Sequence, residues 1–479
     1  MNMFGMTFGG RTAFWSLAGA VALTACLTPP SARAEEPKKP NIVVILADDM
    51  GWGDVGWHGS QIATPNLDRL AASGARLEQF YVQPVCSPTR AAFMTGRYPM
   101  RHGLQVGVVR PWAQYGLPLD ERTLPQALKE AGYETAIAGK WHLGHFRPEY
   151  LPTRRGFDHQ YGHYNGALDY NTHVRDDGHD WHRDDKENHD KGYSTHLLAG
   201  EAVRVIAEHD VARPLFLYVP FNGVHAPHQV PDRYKEPYST LAEPRRTYAG
   251  MLAAVDEAVG QIAGAIAKKG IGDHTLIVFS SDNGGPNPGR VTSNGPLRGA
   301  KATLFEGGVR VAAFANWPGR IKPGSVVNAP LHIVDLYPTF LKLAGASTDQ
   351  SLPLDGRDAW SAIVEGKASP HDAILLNATQ TNGAIRVGDW KLIVGRPGGP
   401  GEAEADGAPA PAVPADAGRV LLFNLAEDPY EKRDLAASQP AKVAELRARY
   451  DALAAQAVPP RAAPKPPGFR SPRVWGQSD

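Results

Sequence analysis

Two pairs of adjacent oxygen-bearing side chains lie far apart in the sequence, and each pair follows an apolar run. Asp48-Asp49 comes after NIVVILA, and Asp282-Asn283 comes after TLIVFSS. Two neighbouring carboxylates need a compensating cation, and oxygen donors of this kind suit a hard divalent ion, Ca²⁺ or Mg²⁺. The alternative is two unrelated polar turns, because Asp and Asn favour turns in any protein.

A cysteine in the segment CSPTRAAFMTGR is the second chemical feature. Pro88 suits a helix N-terminus, where its missing N–H costs little. Cys86 would then face unpaired amides at the positive helix end, where anions bind, and Arg90 lies one turn further. The alternatives are a buried structural thiol and an ordinary reactive cysteine. A cysteine protease would need a histidine base and an oxyanion hole, and it leaves the carboxylate pairs unexplained.

The elements that position these residues are indicated by short apolar runs. Runs of this length are typical of strands buried on both faces of a parallel sheet, and they occupy residues 41–47, 133–138, 214–220 and 275–279. Helical patterns alternate with them, at residues 66–72, 123–131, 195–208 and 246–268. The alternation predicts an α/β sandwich. Ligands bind beyond the carboxyl ends of such strands, so the polar clusters there are expected to share one site.

A second, smaller region is predicted after the main α/β region. Residues 329–345 indicate a helix that closes the first domain. Four short strands of an antiparallel sheet and a final amphipathic helix at 440–456 follow. We therefore expect a catalytic domain at 38–365 and a small α+β domain at 366–460. A Gly/Ala/Pro-rich mobile insertion is expected at 396–418, and a poorly ordered tail at 461–479.

The N-terminus is typical of an export signal over residues 1–34. Arg11 precedes an apolar run, at 13–25, that is too short for a stable membrane anchor, and small residues before Glu35 fit a cleavage site. The segment LTAC also resembles a bacterial lipobox, in which Cys26 would carry lipid. We expect an exported protein, periplasmic or secreted, with no transmembrane span and with lipoprotein anchoring through Cys26 as the alternative.

Charge and cysteine content narrow the function classes. The chain has 479 residues with 50 basic and 50 acidic side chains, so it carries no basic field for nucleic acid. Cys26 has a targeting explanation, which leaves Cys86 unpaired in the mature chain. An exported chain without a disulfide framework relies on its core for stability.

The motifs, taken together, resemble the type I sulfatases of the alkaline phosphatase superfamily. The signature of that family is Cys-x-Pro-Ser/Thr-Arg, extended by Thr-Gly-Arg, and this chain has Cys86 to Arg90 followed by Thr95 to Arg97. Other matching segments follow in family order, which makes coincidence implausible: DDMG at 48–51, GKWHLG at 139–144, HAPH at 225–228, DNGG at 282–285, LRGAK at 297–301 and EGGVR at 306–310. Ala312 departs from the proline that often stands in the last motif.

The resemblance implies a fold, a cofactor and a mechanism. The fold would be an alkaline-phosphatase-like sandwich with a large mixed, mostly parallel sheet, plus the smaller C-terminal domain. Cys86 would be converted to formylglycine by a formylglycine-generating or sulfatase-maturing enzyme. The hydrated aldehyde would attack sulfur and form a covalent sulfate ester, which then releases sulfate by elimination. The cation would be Ca²⁺, with Mg²⁺ as the alternative.

The resemblance also assigns a role to each site residue. The cation would be held by Asp48, Asp49, Asp282, Asn283 and modified residue 86. Sulfate oxygens would be bound by Lys140 and Lys301, while Arg90 supports the nucleophile. His225 would protonate the leaving alcohol, and His142 would take a proton from the second hydroxyl of the hydrated aldehyde. His228 would line the substrate cleft, or alternatively only pack beside His225.

A narrower likeness concerns the substrate. Residues 151–158 (LPTRRGFD) and 225–238 are similar to the arylsulfatase B, or N-acetylgalactosamine-4-sulfatase, group. This implies exo-acting removal of sulfate from galactose-type or N-acetylgalactosamine-type sugars, with aryl sulfates as convenience substrates. The alternatives are a phosphate monoester or phosphonate hydrolase of the same superfamily and an unmodified, inactive glycan-binding protein.

A histidine- and aspartate-rich stretch at 157–196 holds seven of the 17 histidines. We expect a polar loop that covers the active-site mouth and contacts sugar hydroxyls. Zinc binding is the alternative, although the spacing of His173, His179, His182 and His189 fits no compact ligand template.

Overall fold

The computed structural model describes residues 39–398 and 419–477, together with residue 1 and residues 9–15. Residues 9–15 contain no helix or strand. Most of the predicted signal segment, including Cys26, and residues 399–418 of the predicted insertion lie outside the described residues. The predicted domain boundaries stay predictions.

The described strands number nineteen and fall into a large sheet, a small sheet and two minor groups. They are β1 (Asn41–Ala47), β2 (Ala75–Leu77), β3 (Phe80–Tyr81), β4 (Glu134–Lys140), β5 (His159–His163), β6 (Val174–Arg175), β7 (Gly178–His179), β8 (His182–Arg183), β9 (Lys186–Glu187), β10 (Leu215–Pro220), β11 (Thr275–Ser281), β12 (Arg310–Val311), β13 (Phe314–Asn316), β14 (Ser325–Val327), β15 (Leu331–His332), β16 (Ile374–Leu376), β17 (Gly383–Val387), β18 (Trp390–Val394) and β19 (Val420–Asn424).

Nine α-helices occur in the described residues. They are α1 (Pro65–Ala72), α2 (Cys86–Thr95), α3 (Leu124–Glu130), α4 (Ser194–Glu208), α5 (Arg245–Lys269), α6 (Glu306–Val309), α7 (Leu336–Leu343), α8 (Trp360–Glu365) and α9 (Pro440–Ala454).

The large sheet has ten strands in the order β14-β2-β13-β11-β1-β10-β4-β5-β8-β9. Its centre is parallel, because β1 pairs with both β10 and β11, and β4 pairs with β10 and β5 in the same sense. Antiparallel strands flank this centre on both sides. All seven residues of β1 are buried, as the continuous apolar run predicts. The predicted mixed, mostly parallel sheet is confirmed.

Helices cover the two faces of this sheet. Along β1, Ile42 and Val44 pack into a core that includes α2, α3 and α7, while Val43 and Ile45 pack into a second core with α1, α4 and α5. The alternation follows from the strand period of two, which sends successive side chains to opposite faces. The result is the three-layer sandwich that the sequence predicts.

Helix α5 has 25 residues and is the single described helix whose length and composition would allow it to cross a membrane. Of its most apolar window, 61% is buried inside the protein. Its buried residues, which include Tyr248, Leu252 and Val259, belong to the core shared with β1. This burial is typical of a core helix of a folded domain.

The small sheet is antiparallel, in the order β16-β17-β18-β19, as predicted. Helix α9 buries Leu446, Tyr450 and Ala454 in the same core as Ile385 of β17 and Leu392 of β18. A buried ion cluster joins this sheet to helix α6. The ammonium of Lys391 lies 2.9 Å from Glu306 Oε1 and 2.9 Å from Glu431 Oε1.

Three local expectations differ from the structure. The single helix predicted at 329–345 is shorter, because β15 and a 3-10 turn occupy its first part and α7 begins at Leu336. The His/Asp-rich stretch forms β5 to β9 in place of a loop. His163 and His182 within it are buried, and Asp180 accepts hydrogen bonds from the backbone N–H groups of Tyr164 and Asn165.

The third difference is the tail, which is ordered over the described residues. Residues 459–477, here called the C-terminal segment, fold back onto the α/β part of the chain. The backbone N–H of Arg461 donates to Gly103 O at 2.7 Å, and Trp112 Nε1 donates to Ala463 O at 3.0 Å. Trp475 is 2% exposed. The many prolines remove backbone donors, but the buried indole and these hydrogen bonds hold the segment in place.

Candidate active site

The two carboxylate-rich pairs meet because of strand register. Ala47 at the end of β1 is paired with Ser281 at the end of β11. Asp48-Asp49 and Asp282-Asn283 therefore leave the sheet side by side, and the backbone N–H of Asp49 donates to Asp282 Oδ1 at 3.2 Å. All four residues are buried. The structure brings together all four predicted cation ligands from these strand ends.

The donor set of this site fits a hard divalent cation. One ligand atom from each of Asp48, Asp49, Cys86 and His225 lies within 4.8 Å of the others. Asn283 Nδ2 donates to Asp49 Oδ1 at 2.8 Å, while the buried Oδ1 of Asn283 has no hydrogen-bond partner. A buried acceptor without a donor is costly, and a cation would satisfy it. Carboxylate and amide oxygens are the ligands that Ca²⁺ and Mg²⁺ prefer.

Cys86 is the first residue of α2 and lies beside the acidic pair. Its thiol is 1% exposed and donates to Asp48 Oδ1 at 3.4 Å. Burial, together with the negative charges of Asp282 and Asp48, raises the pKa of the Cys86 thiol well above its ordinary value. Thiolate chemistry needs a lowered pKa, so this position disfavours an ordinary reactive cysteine.

Arg90 lies one helical turn after Cys86 and its guanidinium is buried. Nε and Nη2 donate to Asp282 Oδ2 at 3.1 and 2.8 Å, and Nη1 donates to Lys140 O at 2.9 Å. Asp48 Oδ2 lies 3.7 Å from Nη2. Arg90 therefore links α2 to the ends of β1, β4 and β11, which is a positioning role consistent with the prediction.

Two lysines neutralise the acidic pair. Lys140, the last residue of β4, places Nζ 2.5 Å from Asp48 Oδ2. Lys301 places Nζ 2.8 Å from Asp49 Oδ2. Burial works against the ammonium of Lys301, but the charges of Asp49 and its neighbours raise the pKa of Lys301 overall. Lys301 also lines the cleft that contains Cys86, whereas Lys140 is fully buried.

Gly139 explains how Lys140 reaches this place. Its φ is +148°, and a Cβ there would lie 2.0 Å from Pro220 O on the neighbouring strand β10. Only glycine allows the two strands to approach so closely. The glycine that precedes the lysine in the GKWHLG segment is therefore required by the backbone that delivers Lys140.

Two histidines face the same cleft as Cys86. His225 Nε2 lies 3.6 Å from Asp49 Oδ2, and Nδ1 lies 2.6 Å from Ala226 O, so Nδ1 is the protonated nitrogen of the neutral ring. Burial lowers the pKa of His225 to about 3; Asp49 opposes this shift and Lys301 adds to it.

His142 Nε2 lies 3.1 Å from Val109 O, and the buried Nδ1 of His142 has no hydrogen-bond partner. That Nδ1 is a base without a donor.

His228 is placed differently from the other predicted residues. It is half-buried, and its ring meets the edge of Tyr248 at a centroid distance of 6.3 Å. It is not among the residues that line the cleft. Its predicted contact with substrate stays a prediction.

The cleft beside Cys86 is narrow, with a volume of about 50 Å³. Two arginines in its wall, Arg110 and Arg175, were missed by sequence reasoning. Arg110 belongs to none of the motifs identified in the sequence. Arg175 precedes the dipeptide Asp176-Asp177, and this signal of a tight turn between short strands was available in the sequence.

The predicted zinc alternative concerns a different place. His179, Glu187 and His189 lie close enough to hold a metal ion together, whereas His173 stacks on Trp181 and His182 bonds to Asp180. The zinc site stays a hypothesis, with a smaller ligand set than the sequence suggested.

Comparison with known proteins agrees with this geometry. The family profile described as Sulfatase matches residues 40–346. Arylsulfatase J of Mus musculus is 41% identical over 494 residues, covering 93% of this chain and 81% of the relative. N-acetylgalactosamine-6-sulfatase of Canis lupus familiaris is 37% identical over 385 residues, covering 75% and 72%.

Solved structures with a similar fold include an oligosaccharide complex and a phosphonate monoester hydrolase. The crystal structure of Ps i-CgsB in complex with k-i-k-neocarrahexaose matches with a TM-score of 0.78 and 32% identity, over 91% of this chain and 95% of that one. The phosphonate monoester hydrolase of Agrobacterium radiobacter has a TM-score of 0.61 at 23% identity, which shows a shared fold. The profile match covers more than half of the chain, and the chain is therefore a member of the sulfatase family, enzymes that hydrolyse sulfate esters.

Proposed function

We propose that this sulfatase removes O-sulfate from a sulfated carbohydrate, with a formylglycine made from Cys86 as its nucleophile. The observation that carries the proposal is the position of Cys86, beneath a cleft that also exposes Lys301, His225 and His142. The sulfatase relatives and the oligosaccharide complex of Ps i-CgsB support a saccharide substrate. A galactose-type or N-acetylgalactosamine-type sugar, as in the arylsulfatase B group, is the substrate class we propose.

Each side chain of the site has its own role in the proposed reaction. Lys140 and Lys301 hold the sulfate oxygens and offset their charge as it grows in the transition state. Asp48, Asp49, Asp282 and Asn283 would hold Ca²⁺. When bound, the cation supplies Lewis-acid polarisation of a sulfate oxygen. Arg90 holds the carboxylate of Asp282 in position through their ion pair.

Proton transfer falls to the two histidines. In the free site His225 is neutral, because burial and the two lysines lower its pKa. An arriving sulfate anion offsets those lysine charges and favours protonation of Nε2, which then donates to the leaving oxygen. His142 has a bare Nδ1, which fits the acceptor of a proton from residue 86.

We further propose that the protein is exported, after cleavage following Ala34 or with lipid on Cys26, and that a maturing enzyme converts Cys86. The first experiment is the mass of tryptic peptide 77–90 from protein made in its native host. An aldehyde or its hydrate at residue 86 is expected, and an unmodified thiol would contradict the proposed nucleophile.

Substrate class is tested with matched esters. Sulfate and phosphate monoesters of one alcohol, and galactose-type sugars sulfated at single defined positions, are offered to the purified enzyme. Faster turnover of the sulfate ester and of the galactose-type sulfates is expected. Faster turnover of the phosphate ester would favour a phosphohydrolase, and activity on aryl sulfates alone would contradict the galactose-type assignment.

A further inference from the structure

We propose that Arg175 binds a second anionic group of the saccharide, a sulfate ester or a carboxylate, while the first sulfate occupies the catalytic end of the cleft. The inference rests on the proposed function and extends it to substrate specificity. Arg175 lines the same cleft as Cys86, His225 and Lys301. It comes from a separate part of the chain, the hairpin formed by β6 and β7.

The basic side chains at the cleft differ in how their charges are paired. At the catalytic end, the lysines Lys140 and Lys301 are paired with buried carboxylates at 2.5 and 2.8 Å. In the wall, the guanidinium of Arg175 has one ionic contact among the described residues, Nε to Asp176 Oδ2 at 3.3 Å. The Arg175 and Asp176 side chains are 27% and 46% exposed. A partly exposed pair of this kind contributes little stability and is readily replaced by a ligand.

The chemistry of the guanidinium selects the ligand. Its planar, forked donors match a sulfate or carboxylate group, which accepts two parallel hydrogen bonds. Several other wall residues are small or apolar, including Val108, Val109, Pro111 and Ala167. They provide contact for a sugar ring but no competing charge. An anion on a neighbouring sugar or ring position is therefore the group that Arg175 would recognise.

The backbone of Arg175 is held in place from two sides. Asp176 and Asp177 have φ of +47° and +66°, the geometry of a two-residue hairpin turn, and Arg175 pairs with Gly178 across it. The C-terminal segment then lies along the second strand of this hairpin. His179 N–H donates to Arg473 O at 2.9 Å, and the Trp475 N–H donates to His179 O at 2.9 Å.

Trp475 fixes Arg175 directly. Its buried indole Nε1 donates to Arg175 O at 2.8 Å. The indole also occupies the space beside Gly178, where a Cβ would lie 2.7 Å from Nε1. Trp475 is thus a positioning residue, and the C-terminal segment contributes to substrate specificity without contacting the reacting atoms.

The experiment measures kcat and KM of the full-length enzyme on four substrates. These are a small aryl sulfate, a galactose-type disaccharide with one sulfate, the same disaccharide with a second sulfate on the neighbouring sugar, and a version with a uronic carboxylate there. The variants are Arg175→Met, Arg175→Lys and Trp475→Phe. Arg433→Met is the matched control, because Arg433 is an exposed arginine paired with Glu427 and does not line the cleft.

With Arg175→Met, kcat/KM is expected to fall about 10- to 100-fold on a doubly anionic substrate, the size of a lost charged hydrogen bond. The loss is expected in KM, and the aryl sulfate and monosulfated sugar should change by less than about twofold. Arg175→Lys should restore part of the loss. Trp475→Phe should show a smaller loss with the same substrate pattern. Comparing the disaccharide with a uronic carboxylate and the disaccharide with two sulfates identifies which anion Arg175 binds.

Equal losses on all four substrates, or no loss on either doubly anionic sugar, would overturn the assignment of Arg175. A wild-type enzyme that hydrolyses aryl sulfate but neither doubly anionic sugar would also overturn it, while leaving sulfatase activity intact. A correctly modified wild-type enzyme without activity on any sulfate ester would overturn the proposed function itself, and the assignment with it.

Discussion

The guanidinium of Arg90 donates two hydrogen bonds to one oxygen of Asp282, at 3.1 Å from Nε and 2.8 Å from Nη2. Both side chains are 1% exposed or less. The contact joins the helix that begins with Cys86 to the strand end that carries Asp282 and Asn283, two of the five predicted cation ligands. The proposed nucleophile and the cation site are therefore parts of one buried ionic network.

Removing Arg90 is expected to destabilise the protein strongly. Arg90→Met leaves Asp282 buried without its cationic partner, and breaking a buried pair on one side costs about 3–5 kcal/mol. The free energy of unfolding, from urea denaturation in the presence of chelator, measures the effect. Arg433→Met, which removes an exposed ion pair, is the control and should change stability by less than about 1 kcal/mol. A similar small change for Arg90→Met would contradict a structural role for this ion pair.

Replacing Cys86 is expected to abolish turnover and leave the fold intact. Cys86→Ala removes the precursor of the nucleophile, and loss of a nucleophile costs at least ~10³-fold in kcat. Aryl sulfate hydrolysis and thermal unfolding are measured on the same preparation. Cys26→Ser, which changes the other cysteine, should leave kcat of the purified enzyme unchanged. Residual activity of Cys86→Ala near the wild-type level would exclude Cys86 as the nucleophile.

Calcium is expected to stabilise the folded protein through the acidic site. A ligand that binds the native state raises stability with concentration, by about 2.7 kcal/mol at 100 times Kd. Thermal unfolding is followed during titration with Ca²⁺ after treatment with chelator, and Mg²⁺ is titrated in parallel. Asn283→Ala should weaken the response, because it removes the unpartnered acceptor Oδ1. Asp232→Asn, at an exposed carboxylate, should not. An unfolding temperature independent of both ions would contradict the cation site.

The ion cluster around Lys391 predicts a pH dependence of stability. Burial, helped by the charge of Glu306 and opposed by Lys391, raises the pKa of Glu431 from 4.5 to about 7. The folded state then binds more protons than the unfolded state between these pH values, so this group lowers stability as pH rises from about 4.5 to about 7.

Glu431→Gln removes the titrating carboxyl group, and with it the loss of stability at rising pH. The variant leaves Lys391 paired with Glu306. Relative to wild type, the variant is expected to gain on the order of 2 kcal/mol between pH 5 and pH 8. Urea denaturation at several pH values gives the curves to compare. Glu427→Gln, at an exposed carboxylate, is the control. Parallel curves for Glu431→Gln and wild type would show that Glu431 does not titrate in this range.

The central fold and most of the site were predictable because they depend on local patterns. Four apolar runs identified the central strands, and the strand-end rule placed Asp48 and Asp282 together before their register was known. The structure confirmed that convergence through the pairing of β1 with β11. The roles of the individual residues in catalysis stay predictions.

Features that depend on contacts distant in sequence were not predictable in this way. The C-terminal segment has the prolines and charges of a flexible tail, and its contacts with Gly103, Trp112 and the hairpin at residue 175 make it ordered. The charge cluster of Lys391, Glu306 and Glu431 is likewise built from three separate segments. No spacing rule connects such residues, because their proximity comes from the packing of a strand, a helix and a loop.

The position of β1 between β10 and β11 has a consequence for the newly synthesised chain. β1 pairs with strands that end at residues 220 and 281, so it has no neighbour in the sheet until the ribosome has made nearly half of the protein. Every residue of α2, from Cys86 to Thr95, is buried once folding is complete. An enzyme that modifies Cys86 by binding the residues around it therefore has to act on the growing or still unfolded chain. The late arrival of the partners of β1 leaves that segment accessible while translation continues.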